Sequence, residues 1–235
     1  MAASNEHARG AGRVGDTGRM ARRGKHSGLA ATGTVNLAGS ALTCPCHVCA
    51  FHHGSAAQYD VLVPFIKEGL EAGDRAVTFV DANERSDRIE RLRQGGVDVD
   101  TAQGNGQLEI ETWEDVYLRD GRFDTADMLG VIQDTINTGR RRGFPRTRLW
   151  ANMEWALSDA PGVEQLAVYE SRLNFILPLY GDVVVCAYDT TRFPAAVLED
   201  VARAHTHLFA DGFAQDNRHY TPPEQLVPEL ESRRR

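Results

Sequence analysis

Cys44-Pro45-Cys46-His47-Val48-Cys49-Ala50-Phe51-His52-His53-Gly54-Ser55 holds three of the four cysteines and three of the eight histidines of this chain. His47 to His52 reads as a β-strand, and Ser55, after Gly54, as the N-cap of a first helix. Strand alternation puts His47, Cys49 and Phe51 on one face and Val48, Ala50 and His52 on the other. The carboxyl end of this strand opens into a Gly-Ser turn, the position at which open α/β sheets bind ligands.

Upstream, residues 1 to 43 are rich in Gly, Ala, Arg, Ser and Thr without apolar periodicity, which predicts a disordered basic tail, with Met20 as an alternative start. That segment carries six Arg or Lys against Glu6 and Asp16, so the net charge of −7 becomes −11 for the remainder. An acidic domain lacks the Lys/Arg clusters that neutralise phosphates, which argues against direct nucleic-acid binding. No apolar run has the length to cross a bilayer, and the faintly apolar stretch 28–43 follows a polar segment unlike a secretory signal. A cytoplasmic protein without membrane contact is expected. In that compartment clustered cysteines serve as thiols, metal ligands or redox groups.

Downstream, buried-strand patterns at 75–81 (RAVTFVD), 108–112, 147–153 (TRLWANM) and 182–188 (DVVVCAY) alternate with helical ones. The helices are expected from Ser55 to Gly73, at 84–94, from Asp124 or Thr125 to about residue 142, at 163–177 and at 195–205, with a last strand or turn at 208–213. This alternation calls for an α/β domain with a mostly parallel sheet and helices on both faces. The domain is expected to span 44–226, with a polar C-terminal tail at 227–235.

The strands deliver further chemistry at their carboxyl ends: Glu154-Trp155 after one, Cys186, Tyr188 and Asp189 at another. Trp and Tyr supply apolar wall and the two acids supply orienting groups, the composition of a small-molecule pocket, if these strands neighbour the first. Asp189 has a structural alternative as a helix cap. His205 ends a helix, where a cation favours the dipole; Asn217, Tyr220 and Pro222-Pro223 suit a closing loop. Cys49 is either a small core hydrophobe or, beside His47, a thiol whose pKa an imidazole lowers. The donors Cys44, Cys46, His47 and Cys49 suit Zn or another thiophilic metal, although alternate strand residues point apart and the spacing is not that of a zinc finger. A Cys46-x-x-Cys49 redox dithiol is a further option. A phosphate-binding loop is missing: the first strand–helix turn has no Lys, and Gly24-Lys25 is followed by His26. A G-x-S-x-G serine elbow is missing too.

Taken in order, His47-x-Cys49-x-Phe51, residues 61–81, Gly121-Arg122-Phe123-Asp124, Glu154-Trp155-Ala156-Leu157, Tyr169-Glu170-x-Arg172-Leu173-Asn174, Cys186-x-Tyr188-Asp189, Arg192-Phe193-Pro194, His205 and Asn217-x-x-Tyr220-x-Pro222-Pro223 resemble the MEDS domain, the methanogen/methylotroph sensory domain. The resemblance covers about 46–226. It implies a RecA-like three-layer fold without nucleotide machinery, and a non-catalytic sensor of small organic molecules, hydrocarbon derivatives among them. It differs at His52, where many relatives have Tyr or Phe. With no output module after residue 226, signalling is expected through a separate regulatory partner: a kinase, an anti-sigma factor or a transcription regulator. The ligand-binding set is therefore His47, Cys49, His52, Glu154, Trp155, Cys186, Tyr188 and Asp189, with no catalytic residue, no resident cofactor and no metal. The alternatives are a metal- or redox-responsive thiol protein built on Cys44, Cys46, His47 and Cys49, and a degenerate ATPase.

Overall fold

The computed structural model describes residues 33–233. In chain order its strands and helices are β1 (Thr34–Leu37), β2 (Ser40–Thr43), β3 (Cys46–His52), α1 (Tyr59–Glu71), β4 (Arg75–Val80), α2 (Arg85–Gln94), α3 (Val99–Gly104), β5 (Leu108–Thr112), α4 (Trp113–Val116), α5 (Thr125–Arg141), β6 (Thr147–Asn152), α6 (Leu166–Leu173), β7 (Val183–Asp189), α7 (Ala195–Ala204), β8 (His207–Ala210), β9 (Phe213–Asp216) and α8 (Pro223–Ser232).

Seven strands form one sheet in the order β5-β4-β6-β7-β3-β8-β9, parallel except for β9. The central strands β3, β4, β6 and β7 carry Val, Ala, Cys, Leu and Trp on both faces because helices cover both. One core joins Cys49, Val77, Phe79, Leu149, Cys186 and Tyr188 to α5, α6, α7 and α8. The other joins Val48, Ala50, Val80, Trp150 and Val185 to α1, α2 and α3. This is the three-layer, mostly parallel α/β architecture that the sequence predicts.

The register sets Cys49 beside Cys186, Phe51 beside Tyr188 and His52 beside Asp189. The helix that follows β3 packs on one face of the sheet and the helix that follows β7 on the other, although the strands are neighbours. Their carboxyl ends therefore flank a crevice of the kind in which such sheets bind ligands.

Several boundaries differ from expectation. Residues 34–43, expected to be unstructured, form the β1–β2 hairpin, which buries Val35, Leu37 and Leu42 in the second core; residues 1–32 of the expected tail lie outside the described residues. Four residues per strand are too short a pattern to register as periodic. The first helix starts at Tyr59, with Gln58 and not Ser55 in the cap position, because 53–58 is taken up by bends and turns. The expected polar C-terminal tail is largely α8, which buries Leu226 and Leu230 against α6 and α7. The 208–213 segment contributes to two strands joined through Asp211 and Gly212, both at positive φ (54° and 87°), the Asp-Gly geometry of a tight hairpin. Asp124 caps α5, accepting from the N–H groups of Ala126 and Asp127 at 2.9 and 3.0 Å.

Candidate functional site

Two polar assemblies lie on the central strands. The first is sealed in the α6/α7 side of the sheet. His47 from β3, Cys186 from β7, Glu170 from α6 and His205 from the end of α7 are each at most 1% exposed. His47 Nε2 is 3.2 Å from Glu170 Oε2 and 3.5 Å from Cys186 Sγ. His205 Nε2 lies 3.5 Å from the same carboxylate oxygen, and the Cys186 thiol 3.4 Å from it. Tyr188 donates its hydroxyl to Glu170 Oε1 at 2.5 Å.

The ring nitrogens of both histidines can be assigned from their partners. Asn174 donates its amide N–H groups to the carbonyls of Glu170, Ser171 and Ala204, so its Oδ1 faces His47 Nδ1 at 3.2 Å and accepts from it. His205 Nδ1 donates to the Val201 carbonyl at 2.7 Å. Each imidazole therefore turns a bare Nε2 lone pair towards Glu170 and Cys186. Burial holds both rings neutral, lowering their pKa to about 3, and pushes the Glu170 carboxyl and the Cys186 thiol up. The His47–Glu170 distance is that of an ion pair, but with a neutral ring and a carboxyl whose pKa is raised it is a contact between a bare Nε2 and a carboxyl oxygen.

The second assembly stands at the carboxyl edge, on the α1/α2 side. Arg88 of α2 is buried and bonds to Thr78 Oγ1, to Asn152 Oδ1 at 3.0 Å and, more loosely, to Gln58 and Tyr59. Near it Glu154 Oε1 lies 4.0 Å from His52 Nε2. His52 Nδ1 donates to the Gly54 carbonyl at 3.1 Å, which leaves Nε2 bare; His52 Nε2 and Glu154 Oε2 are buried without hydrogen-bond partners among the described residues. Burial, above all, raises the Glu154 pKa to about 7 and lowers that of His52. Above His52 opens a cleft of about 600 Å³ lined by Phe51, His52, Val61, Thr190, Phe209 and Asp211. Asp189 accepts from Gly54 N at 3.0 Å and from the N–H and hydroxyl of Thr191. Burial opposes its ionisation, but these bonds outweigh it and hold the carboxyl below its usual range.

Residues 46–206 match the model of the methanogen/methylotroph, DcmR sensory domain. The chain belongs to the MEDS family. It is 27% identical over 166 residues to the transcriptional repressor DcmR of Methylorubrum extorquens, a match covering 69% of this chain and 59% of that protein. Among solved structures, an uncharacterised protein of Pyrococcus horikoshii, crystallised with an unknown peptide, aligns over 69% of this chain and 76% of its own at 15% identity and a TM-score of 0.54. A KaiC-like protein of the same organism aligns over 69% of both chains at 13% identity and a TM-score of 0.48. The likeness to the uncharacterised protein concerns fold alone, and the three-layer, mostly parallel α/β arrangement expected of the chain is the one observed.

Within this MEDS domain the residues expected to share one mouth divide. His47, Cys49, Cys186 and Tyr188 face the α6/α7 core, whereas His52, Glu154 and Asp189 gather at the carboxyl edge on the α1/α2 side. The single pocket joining Cys49 with Glu154 is thus not formed; strand alternation separates them. Trp155 is no pocket wall: it is 1% exposed and stacks on Tyr117 (4.7 Å between centroids) and Phe123 (4.5 Å). Asp189 caps turns, not a helix. His205 is buried and neutral, so it is not the dipole-facing cation the sequence suggested. Asn217 closes its loop as expected, donating to the carbonyls of Ala202 and His205.

The cysteine expectations also change. Cys44 and Cys46 touch each other (Sγ–Sγ 3.2 Å) in the α1 side core, on the other side of the sheet from Cys49 and His47. The donor set Cys44, Cys46, His47 and Cys49 does not converge. Cys49 is no activated thiolate either, because burial raises its pKa well above the ordinary value. Two members of the sealed assembly, Glu170 and His205, were absent from the expected site. Both lie in the ordered motifs Tyr169-Glu170-x-Arg172 and His205, and a lone acid within an apolar helix was the signal available. Arg88 was missed because a basic residue in a charged helix reads as solvated.

Proposed function

We propose that this MEDS domain senses a small organic molecule with a hydrogen-bonding head and an apolar body, a hydrocarbon derivative, held at the carboxyl edge between β7, β3 and β8. The observation that carries this reading is His52, which lines the cleft and whose buried Nε2 has no hydrogen-bond partner among the described residues, 4.0 Å from the carboxylate of Glu154, whose Oε2 is likewise without one. Buried polar groups are rarely left unpaired, and such pairs mark ligand positions. A hydroxyl or amine would donate to His52 Nε2 while its carbon chain lies over Phe51, Val61 and Phe209. Asp189 holds the β3 and β7 ends together.

The role is regulatory and not catalytic. In the turn after β3, the Gly54 N–H that a phosphate would take is bound by the Asp189 carboxylate, which places a negative charge where an ATPase needs a cation. The kinship with a transcriptional repressor supports an output through a regulatory protein partner, a kinase, an anti-sigma factor or a transcription regulator, whose affinity changes with ligand because the two states bind it unequally.

A thermal-shift series with short alcohols, amines and haloalkanes tests the reading. At least one class is expected to raise the melting temperature of the wild type and to lose that effect in His52→Ala and Glu154→Gln. Equal stabilisation of the variants, or none of the wild type, sinks it.

A further inference from the structure

We propose that His47, Glu170, Cys186 and His205 form a closed tetrahedral site for a zinc-type divalent cation, buried between β3, β7, α6 and α7. This goes beyond the sensory reading, which uses other residues. The ligand atoms of all four lie within 4.8 Å of one another.

Four of the six spacings fit coordination, and the other two, from His205 to His47 and to Cys186, are within 4.8 Å. Zinc bonds of roughly 2.0–2.3 Å to N, O and S imply tetrahedral edges of roughly 3.3–3.6 Å. Four of the six edges are 3.2, 3.4, 3.5 and 3.5 Å. A borderline-soft ion suits two imidazoles, a thiolate and a carboxylate.

The polarity of the cluster also asks for a cation. Two Nε2 lone pairs and a carboxyl oxygen have two protons to share, that of the Glu170 carboxyl and that of the Cys186 thiol, whose Sγ is 3.5 Å from His47 Nε2 and 3.4 Å from Glu170 Oε2; His205 Nε2 is left with no hydrogen-bond partner among the described residues. A lone pair left facing other lone pairs in a dry interior is costly. Both histidines are already anchored through Nδ1, His47 on Asn174 Oδ1 and His205 on the Val201 carbonyl, and Glu170 Oε1 is held by Tyr188. Such outer bonds orient metal-binding imidazoles and carboxylates. As the ion enters, Cys186 loses its thiol proton and Glu170 its carboxyl proton, so one divalent cation replaces two protons and the buried charge stays balanced. A small recess of about 30 Å³, lined by Pro45, Cys46, His47, Asn174, Leu177 and Thr206, lies against His47.

The test uses the full chain, stripped with a chelator and titrated with Co(II) and then Zn(II). One Co(II) per chain is expected, with strong tetrahedral ligand-field absorption and a thiolate-to-cobalt charge-transfer band, both removed by one equivalent of Zn(II). Cys186→Ser should lose the charge-transfer band. His205→Gln and Glu170→Gln should weaken binding about 100-fold or more, since even outer partners are worth 10–100-fold; Asn174→Ala should cost about tenfold. The double variant Cys44→Ser/Cys46→Ser should keep the full spectrum. Weak octahedral absorption alone in the wild type overturns the proposal, as does a charge-transfer band that survives Cys186→Ser or disappears with Cys44 and Cys46. Should the core variants fail to fold, the wild-type spectrum and the Cys44/Cys46 variant still decide.

Discussion

His47 and His52 stand on one strand, five residues apart, and meet opposite surroundings. An odd spacing sends them to opposite faces of the sheet. The first joins a sealed assembly in which every member is packed by helices; the second stands at the strand's end, beside a cleft and 4.0 Å from a buried acid. Burial in the middle of the sheet fixes geometry, and burial at its edge leaves polar atoms free to meet something else.

If that contrast is right, variants in the sealed region affect stability and variants at the edge affect binding. Among single substitutions the largest effect is expected from Trp155→Ala, which empties an aromatic stack and should cost about 3–5 kcal/mol in urea unfolding. A loss below ~1 kcal/mol would mean that Trp155 lines a pocket after all.

Next comes acid sensitivity of the metal-free protein. His47 and His205 have folded pKa values of about 3, below the ordinary 6.5, so the unfolded chain takes up protons first. Their neutral state contributes in full above pH 6.5 and loses its contribution as the pH falls towards 3, by up to about 1.4 kcal/mol per pH unit for each ring. Glu154 has the opposite sign: its folded pKa of about 7 exceeds 4.5, so its contribution is complete below pH 4.5 and is lost as the pH rises through 7. Urea midpoints should therefore fall below pH 6.5, where the two rings outweigh the single carboxyl, and dip slightly between pH 6.5 and 7; Glu154→Gln should remove the dip and steepen the acid limb. A wild-type curve that is flat below pH 6.5 would remove the sealed, neutral pair. The smallest effect on stability is expected from His52→Ala, under ~1 kcal/mol, with ligand response lost; a loss of several kcal/mol would erase the distinction between the two regions.

The parallel core was legible because its strands are apolar on both faces, and β3 was legible to within one residue. The hairpin at 34–43 and α8 were not, since short elements acquire their burial only from partners distant in sequence. The candidate site was half legible. Alternation already placed His47 with Cys49 and His52 apart from them, but the assumption that neighbouring strand ends share one mouth joined the two rows. Glu170 and His205 reach the strand residues only through the docking of α6 and α7, which no local pattern encodes.

The short β1–β2 hairpin also governs how the molecule behaves in company. The outermost strand β9 offers backbone groups to any passing strand, and unpaired edges seed self-association. Here β2 packs beside it, and Ser40 Oγ accepts the outward N–H of Ala214 at 2.9 Å. The opposite edge, β5, is guarded differently, by Glu109 and Glu111, the former paired with Arg75 and Arg142. A chain trimmed to begin at Pro45 should keep the seven-stranded sheet and scatter light as it ages, which makes those ten residues a solubility device as much as a part of the core.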